Sequence, residues 1–397
     1  MGNSNRGEGE KVSLNGKLVA GAVIVVGIVL AVYFSVRSTQ TTPATKDIKL
    51  GVIAGMSGPG TSYGIGIQQG AEMAVREINA GGGINGRKIS LVVADDASNP
   101  AQSVTAMQRL VNEPVDLVVG GWGSSQVLAN MEVSERAQLP YIVVGATNPK
   151  ITTERNEWTF RVIFTDAVQA EQIAEAAVNQ LGMKRIAVIH DSNDYGAGNR
   201  DVFVESLARH GVEPVAVVSY QTADRDFTAQ LAQIRDVNAD GIAIFGTIPA
   251  APAIMNQARD MGIGARFIGT GGLANENLMT LSPEASQGTV LTTYFHEDVD
   301  AEAKQWAQRY VSEFRGSSQP PRPVLASWEY RAIRFIVAPC LESAGTENVK
   351  LRDCIGAWKG TLFSVPGQAY FDGTGQLIQR SVLVEVSNGA FHTFTGK

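Results

Sequence analysis

His190 closes an apolar run and is followed at once by Asp191 and Asp194, a grouping of imidazole and carboxylates that could move a proton or hold a metal. It stands alone. The other histidines, His210, His296 and His392, fall in unrelated segments, and the chain has neither a Gly-x-Ser-x-Gly elbow nor a His-Glu-x-x-His pair. Catalysis needs a nucleophile, a base or a metal set, so His190 is read as a residue that fixes its loop, and no enzyme activity is expected. The two cysteines, Cys340 and Cys354, lack zinc-site spacing, so no metal and no cofactor are expected either.

A different chemistry is written between Lys49 and Ala97. An expected strand at 49–54 runs into a small-residue loop at 55–64, then a helix, the turn at 81–86, a second strand and Asp95-Asp96. A loop that leaves a strand and opens a helix presents backbone N–H groups where an open parallel sheet receives a small anionic or polar ligand. The loop lacks Gly-x-Gly-x-x-Gly spacing and a later ribose-binding acid, which argues against a dinucleotide site; Asp95-Asp96 is read as a strand-end turn. The plain alternative is an ordinary βα turn of any doubly wound protein.

The elements that would position these residues alternate regularly. Apolar, β-branched runs at 89–94, 117–120, 141–144, 185–190, 215–219, 241–245 and 266–269 read as strands covered on both faces. Between them, Ile67, Ala71, Ala74, Val75 and Ile78 recur at helical spacing, as do Ala170, Ile173, Ala174, Ala177, Val178 and Leu181. Repeated βα units predict a largely parallel sheet. The pattern restarts near residues 161–166, which predicts a second α/β domain. Helical stretches at 301–315 and 324–344 precede a Gly-rich β segment at 367–375 and an alternating strand at 381–386, which needs a partner strand. The chain is therefore expected to cross between domains more than once.

With 397 residues, 44% of them hydrophobic and 18% charged, the chain can bury two cores of ordinary size. A net charge of −6 without basic clusters excludes a nucleic-acid binder. Residues 18–36 carry no charge and at helical rise span roughly 28 Å, enough to cross a bilayer. The apolar region is long, and neither a clear cleavage site nor a lipid-bearing cysteine follows it. An uncleaved signal anchor, with a cleaved signal as the alternative, is therefore expected at 18–36, after a cytoplasmic stretch at 1–17 and before a polar tether at 37–46. Lys and Arg flank it on both sides and do not set its orientation. Cys340 and Cys354 sit in two helical segments joined by a short connection; an inter-helix disulfide in an exported domain and two core thiols both remain open.

Taken together in order and spacing, these segments resemble the type I periplasmic binding proteins, in particular the branched-chain amino-acid (Leu/Ile/Val) solute-binding subfamily of ABC transporters. The likeness covers 47–397. It rests on Met56-Ser-Gly-Pro-x-x-x-Tyr63-Gly, Gly82-Gly-Ile-Asn-Gly86, Asp95-Asp96, Ser124-Ser125, Ala146-Thr147, His190-Asp191-x-x-x-Tyr195-Gly, Gln257-Ala-Arg259 and Tyr370-Phe-Asp-x-x-Gly375. The resemblance implies two Rossmann-like α/β lobes joined by a three-crossover hinge, 47–165 with 294–368 and 166–293 with 369–397. It also implies lobes outside the cytoplasmic membrane, capture of a small carboxylate-bearing solute by closure, and ABC permease subunits as partners. A membrane-anchored sensing head for a small amide or organic acid is the alternative.

Carried over by position, the family's ligand contacts fall on Tyr63, Ser124, Gly145 and Thr147 in the first lobe and on Tyr195 and Thr247 in the second. Ser124 and the adjacent Ser125 open an expected helix, where hydroxyls and free N–H groups suit a carboxylate; Ser124 itself is read as the helix N-cap. Tyr63 and Tyr195, each beside a glycine, would supply aromatic walls. The chain departs from the family at Gly271, where amino-acid binders place the acid that receives the ligand ammonium, and at Thr247, often aromatic. The family's first-lobe disulfide is missing, with Ala97 and Gly123 at its positions.

Overall fold

In a computed structural model the described residues are 46–154, 156–317, 323–365 and 367–396. The apolar runs build two parallel sheets of identical winding. Strands β1 (Ile48–Ala54), β2 (Ile89–Asp95), β3 (Leu117–Gly120), β4 (Tyr141–Val143) and β5 (Thr159–Arg161) lie in the order β2-β1-β3-β4-β5, all parallel. Strands β6 (Ile186–Asp191), β7 (Ala216–Tyr220), β8 (Gly241–Phe245), β9 (Arg266–Gly269) and β10 (Val290–Thr293) repeat it as β7-β6-β8-β9-β10. In each sheet the order reverses beside the first strand, which opens a crevice at the strands' carboxyl ends.

The remaining strands answer the question of the C-terminal tail. β11 (Lys359–Gly360), β12 (Ala369–Phe371) and β13 (Leu377–Ile378) form a small antiparallel sheet, whereas β14 (Val382–Ser387) pairs with β10 and forms a hairpin with β15 (Ala390–Thr393). The chain leaves the first sheet after β5, leaves the second after β10 for the helices between Ala301 and Ala357, and rejoins the second at β14. The helix Pro323–Arg331 packs on the helix Thr61–Ala80, whose expected face of Ile67, Ala71, Ala74, Val75 and Ile78 is buried.

Two buried arginines tie these passages together. Arg161 donates to Gln376 Oε1 (2.6 Å), Asn148 O (2.6 Å) and Thr152 Oγ1 (2.8 Å), while Gln376 Nε2 reaches Ile163 O (2.5 Å), so the first and last passages are bonded side by side. Arg331 donates to Ser327 O, Phe363 O and Tyr294 O (3.2, 3.2 and 3.0 Å) and pins the middle one. Burial lowers both guanidinium pKa values to about 10, and each stays charged at neutral pH with carbonyls and amides to satisfy it.

Cys340 and Cys354 are joined in a disulfide, Cα atoms 5.6 Å apart, between the helices Ala338–Ala344 and Asn348–Ala357. The free-thiol alternative therefore falls away, and the bond suits an oxidising compartment. Among the described residues no helix is long and apolar enough to cross a membrane; the expected anchor at 18–36 lies outside them.

Candidate functional site

The two crevices face each other across one cavity of about 60 Å³. Its walls come from the carboxyl ends of both sheets: Pro59 and Gly60 follow β1, Ser98 follows β2 and residues 122–126 follow β3, while Asn193 and Tyr195 follow β6, Thr222 follows β7 and Thr247 follows β8. None of these side chains carries a charge. A polar, uncharged cavity of this size suits a small solute held by dipoles and hydrogen bonds.

The first wall is a helix end. Helix Ser124–Arg136 begins with Gly123 as its N-cap, without a side-chain cap, so Ser124 is the first helical residue rather than the cap expected. Its hydroxyl is turned elsewhere: Ser124 Oγ accepts from Asn148 N (3.2 Å) and Ser125 Oγ from Asp194 N (3.3 Å). Each serine keeps its own O–H proton to donate, and the first-turn N–H groups have no carbonyl four residues back. That arrangement is complementary to a carboxylate.

Around it, the glycine loop is held in place by Asp95, which accepts from Met56 N and Ala97 N (both 2.8 Å), Ser57 N (3.2 Å) and the Ser57 hydroxyl (2.7 Å). Partial burial works against its charge, but these donors hold the carboxyl below its ordinary pKa. Asp96 fixes Ser98 N (2.8 Å), and burial raises its pKa to about 6. Ala97 and Ser98 both adopt positive φ, +48° and +55°, and this strained pair presents Ser98 Oγ to Gly60 N (2.9 Å). Asp95-Asp96 is thus the strand-end turn expected.

Tyr63 does not line the cavity; it crosses behind it. Fully buried, it stacks on Trp122 with ring centroids 3.5 Å apart, donates to Gly272 O (2.8 Å) and accepts from Ile248 N (3.1 Å), both on loops of the second sheet. Asn275 Nδ2 to Ser62 Oγ (2.9 Å) and Asn148 Nδ2 to Asp194 O (2.7 Å) add further bonds between the two sets of loops. Gly145 backs Trp122, whose Cα would lie 2.7 Å from any Cβ at that position.

The second wall is a closed network. Tyr195 OH accepts from Gly272 N (2.8 Å) and meets Thr270 Oγ1 (3.1 Å), which donates to Asn199 Oδ1 (2.9 Å). Gly271 is lined up differently: its N–H donates to Gln169 Oε1 (2.8 Å), and a Cβ there would stand 2.2 Å from the Tyr294 ring. The Tyr294 ring thus occupies the room that any side chain at 271 would need. His190 fixes its loop. Burial lowers its pKa, Nδ1 lies 2.8 Å from Asp191 O, and Asp191 in turn fixes Asn193 N (3.1 Å) and Thr222 (2.8 Å) beside the cavity.

Ser124, Ser125, Tyr195 and Thr247 therefore meet in one cavity. Tyr63, Gly145, Thr147 and Gly271 are buried around it. Trp122, Ser98 and Asn193 join the walls without having been singled out; Trp122, between Gly121 and Gly123 and immediately ahead of the serine pair, carried the one readable signal. Among the described residues no three metal-ligating side chains gather.

Two doubly wound sheets with their crevices turned to one uncharged cavity define a type I α/β solute-binding architecture. The chain belongs to the periplasmic binding protein family, whose model matches residues 47–390. It is 34% identical over 267 residues to an amino acid binding protein of Pseudomonas aeruginosa, covering 66% of this chain and 71% of that one. It is 31% identical over 318 residues to a Leu/Ile/Val-binding protein homolog of Brucella melitensis (80% and 85%). Among solved structures it resembles the branched-chain amino acid transporter substrate-binding protein LivJ of Streptococcus pneumoniae in complex with isoleucine, with a TM-score of 0.80, 27% identity, and coverage of 87% of this chain and 98% of that one. The family is extracytoplasmic and binds solutes without transforming them.

Proposed function

We propose that this chain is the substrate-binding protein of an ABC transporter, capturing a small carboxylate-bearing solute, an amino acid or a related organic acid, and delivering it to a permease. The observation that carries the reading is the cavity shared by both sheets, with the Ser124–Ser125 helix end on one side and Tyr195 and Thr247 on the other. The solute docks by its carboxylate on Ser124 and Ser125; the lobes, 47–165 with 294–368 and 166–293 with 369–397, then close about the three passages pinned by Arg161 and Arg331. Closure is favoured only as far as the solute binds the closed form better. Thr147 and Gly145 support the carboxylate side, Tyr63 bridges the lobes, and residues 18–36 tether the whole to the membrane. The names of the relatives, amino acid binding and Leu/Ile/Val-binding, agree in solute size and in the carboxylate.

Thermal unfolding measured across amino acids, short-chain and aromatic acids, amides and urea tests this. A true solute at 100 times its Kd adds about 2.7 kcal/mol of stability. Ser125→Trp, which fills the cavity from a partly exposed position, should abolish that gain while the unliganded protein still unfolds cooperatively. An undiminished gain in this variant refutes the site.

A further inference from the structure

Trp122 follows β3 between Gly121 and Gly123 and is the largest side chain on the first wall of the cavity. Its ring lies flat on that of Tyr63, planes 10° apart, and Tyr63 is fully buried and bonded behind it to Gly272 O and Ile248 N. The indole cannot retreat. A Cβ at Gly60 would stand 2.8 Å from its Nε1 and one at Gly145 2.7 Å from its Cα, so the flanking loops hold it as closely as the stack does. With Trp122 fixed, about 60 Å³ is left; each water-sized group takes about 10–15 Å³ of such space, so the cavity accepts about four to six of them. A carboxylate alone uses much of that.

The groups left to meet the rest of the solute are polar. The Gln126 side-chain amide, Thr247 Oγ1 and the Trp122 Nε1–H belong to residues that line the cavity, and among the described residues none of the three has a hydrogen-bond partner. They offer donors and acceptors without charge. A solute hydroxyl, which both donates and accepts, completes them, whereas an aliphatic tail would leave them desolvated and unpaired.

We propose that Trp122 is a specificity-determining residue that limits the solute to short hydroxy acids, of the length of glycolate or lactate, and shuts out longer apolar tails. This rests on the carboxylate-capture reading above and names the solute class of that site. The carboxylate takes the Ser124–Ser125 helix end, the hydroxyl takes Gln126 and Thr247, and the indole fills the space a longer tail would enter.

Titration calorimetry on the wild type compares glycolate with propanoate and lactate with 2-methylpropanoate, pairs in which a methyl group replaces the hydroxyl, and adds leucine and 4-methylpentanoate as long solutes. Each hydroxy acid should bind at least about tenfold tighter than its methyl counterpart and than either long solute. Trp122→Leu opens the cavity and should tighten 4-methylpentanoate binding by at least about tenfold, a gain that a merely structural role for the ring would not produce. Trp122→Phe, which keeps a ring on Tyr63, should fall between. Leucine or 4-methylpentanoate binding the wild type as tightly as lactate, equal affinities within the hydroxyl and methyl pairs, or no gain for the long acid in either folded variant each overturn the proposal. Should neither variant fold, the wild-type ranking decides it. If the methyl acids bind and the hydroxy acids bind no better, carboxylate capture stands and this inference falls; if no acid binds, carboxylate capture falls as well.

Discussion

On the first-sheet side of the cavity Ser124 and Ser125 keep O–H protons to give, at a helix end whose leading N–H groups have no carbonyl within the helix. On the second-sheet side Tyr195, Thr270, Asn199 and Gly272 use their hydrogen-bonding capacity on one another. The first wall can take a charged ligand group directly, whereas the second is a preset surface that shapes and covers. Specificity on a closed wall comes from what is packed there, and the Tyr294 ring against Gly271 is the clearest instance. Binding on an open wall comes from donors left available.

The largest effect separating the two walls should come from Tyr63, which joins them. Tyr63→Ala removes a fully buried ring and its bonds to Gly272 O and Ile248 N, and urea denaturation should show a loss of about 3–5 kcal/mol. A loss near zero would mean that the walls do not depend on this bridge. Away from both walls, replacing Cys340 and Cys354 by serine opens a loop with a sequence separation of 14 and should lower stability by about 3 kcal/mol. Solute affinity should not change, which makes this pair the control for general destabilisation.

Gly271→Ala drives a methyl group into Tyr294 and should cost about 1–3 kcal/mol in the same measurement. A neutral outcome would show that the second wall yields, contrary to its closed network. The pH dependence gives a smaller signal per pH unit. The Asp166 pKa rises on folding from near 3.8 to about 7, so between these values the folded form holds the extra proton. Its contribution is fully present below the unfolded value and is lost as pH rises toward 7, by on the order of 1 kcal/mol per pH unit. Asp166→Asn should make the measured slope shallower by that amount when denaturation is followed from pH 4 to 8, leaving the part due to Asp96. Smallest in stability is Ser124→Ala, at about 0.5–1.5 kcal/mol. Its solute affinity should nevertheless fall about tenfold, since a donor on the open wall is lost.

Much of the scaffold is legible from residue type alone. The runs at 117–120 and 241–245 coincide with β3 and β8, because strands covered on both faces must be continuously apolar; the run at 89–94 matches β2 to within a residue although β2 is a partly exposed edge strand. β5 and β10 escape that reading, since they bury polar residues: Thr159 and Thr293 bond locally to Asn156 and Phe295 O, while Arg161 and Thr292 are satisfied by Gln376 and Gln169 from distant passages. The same limit governs the site. Ser124 and Tyr195 are readable beside their glycines, but nothing local marks Tyr63 as a bridge to Gly272, or Tyr294 as the ring packed where a side chain at 271 would stand. Both depend on contacts between residues far apart in the chain.

X-ray scattering of the protein with and without a saturating solute from the thermal screen tests the central claim most directly. Capture between two closing lobes predicts a smaller radius of gyration and a shifted mid-angle profile on addition of solute, both lost in Ser125→Trp. Curves that superimpose although calorimetry shows the solute fully bound would contradict closure, and with it the assignment of the cavity as the place of capture.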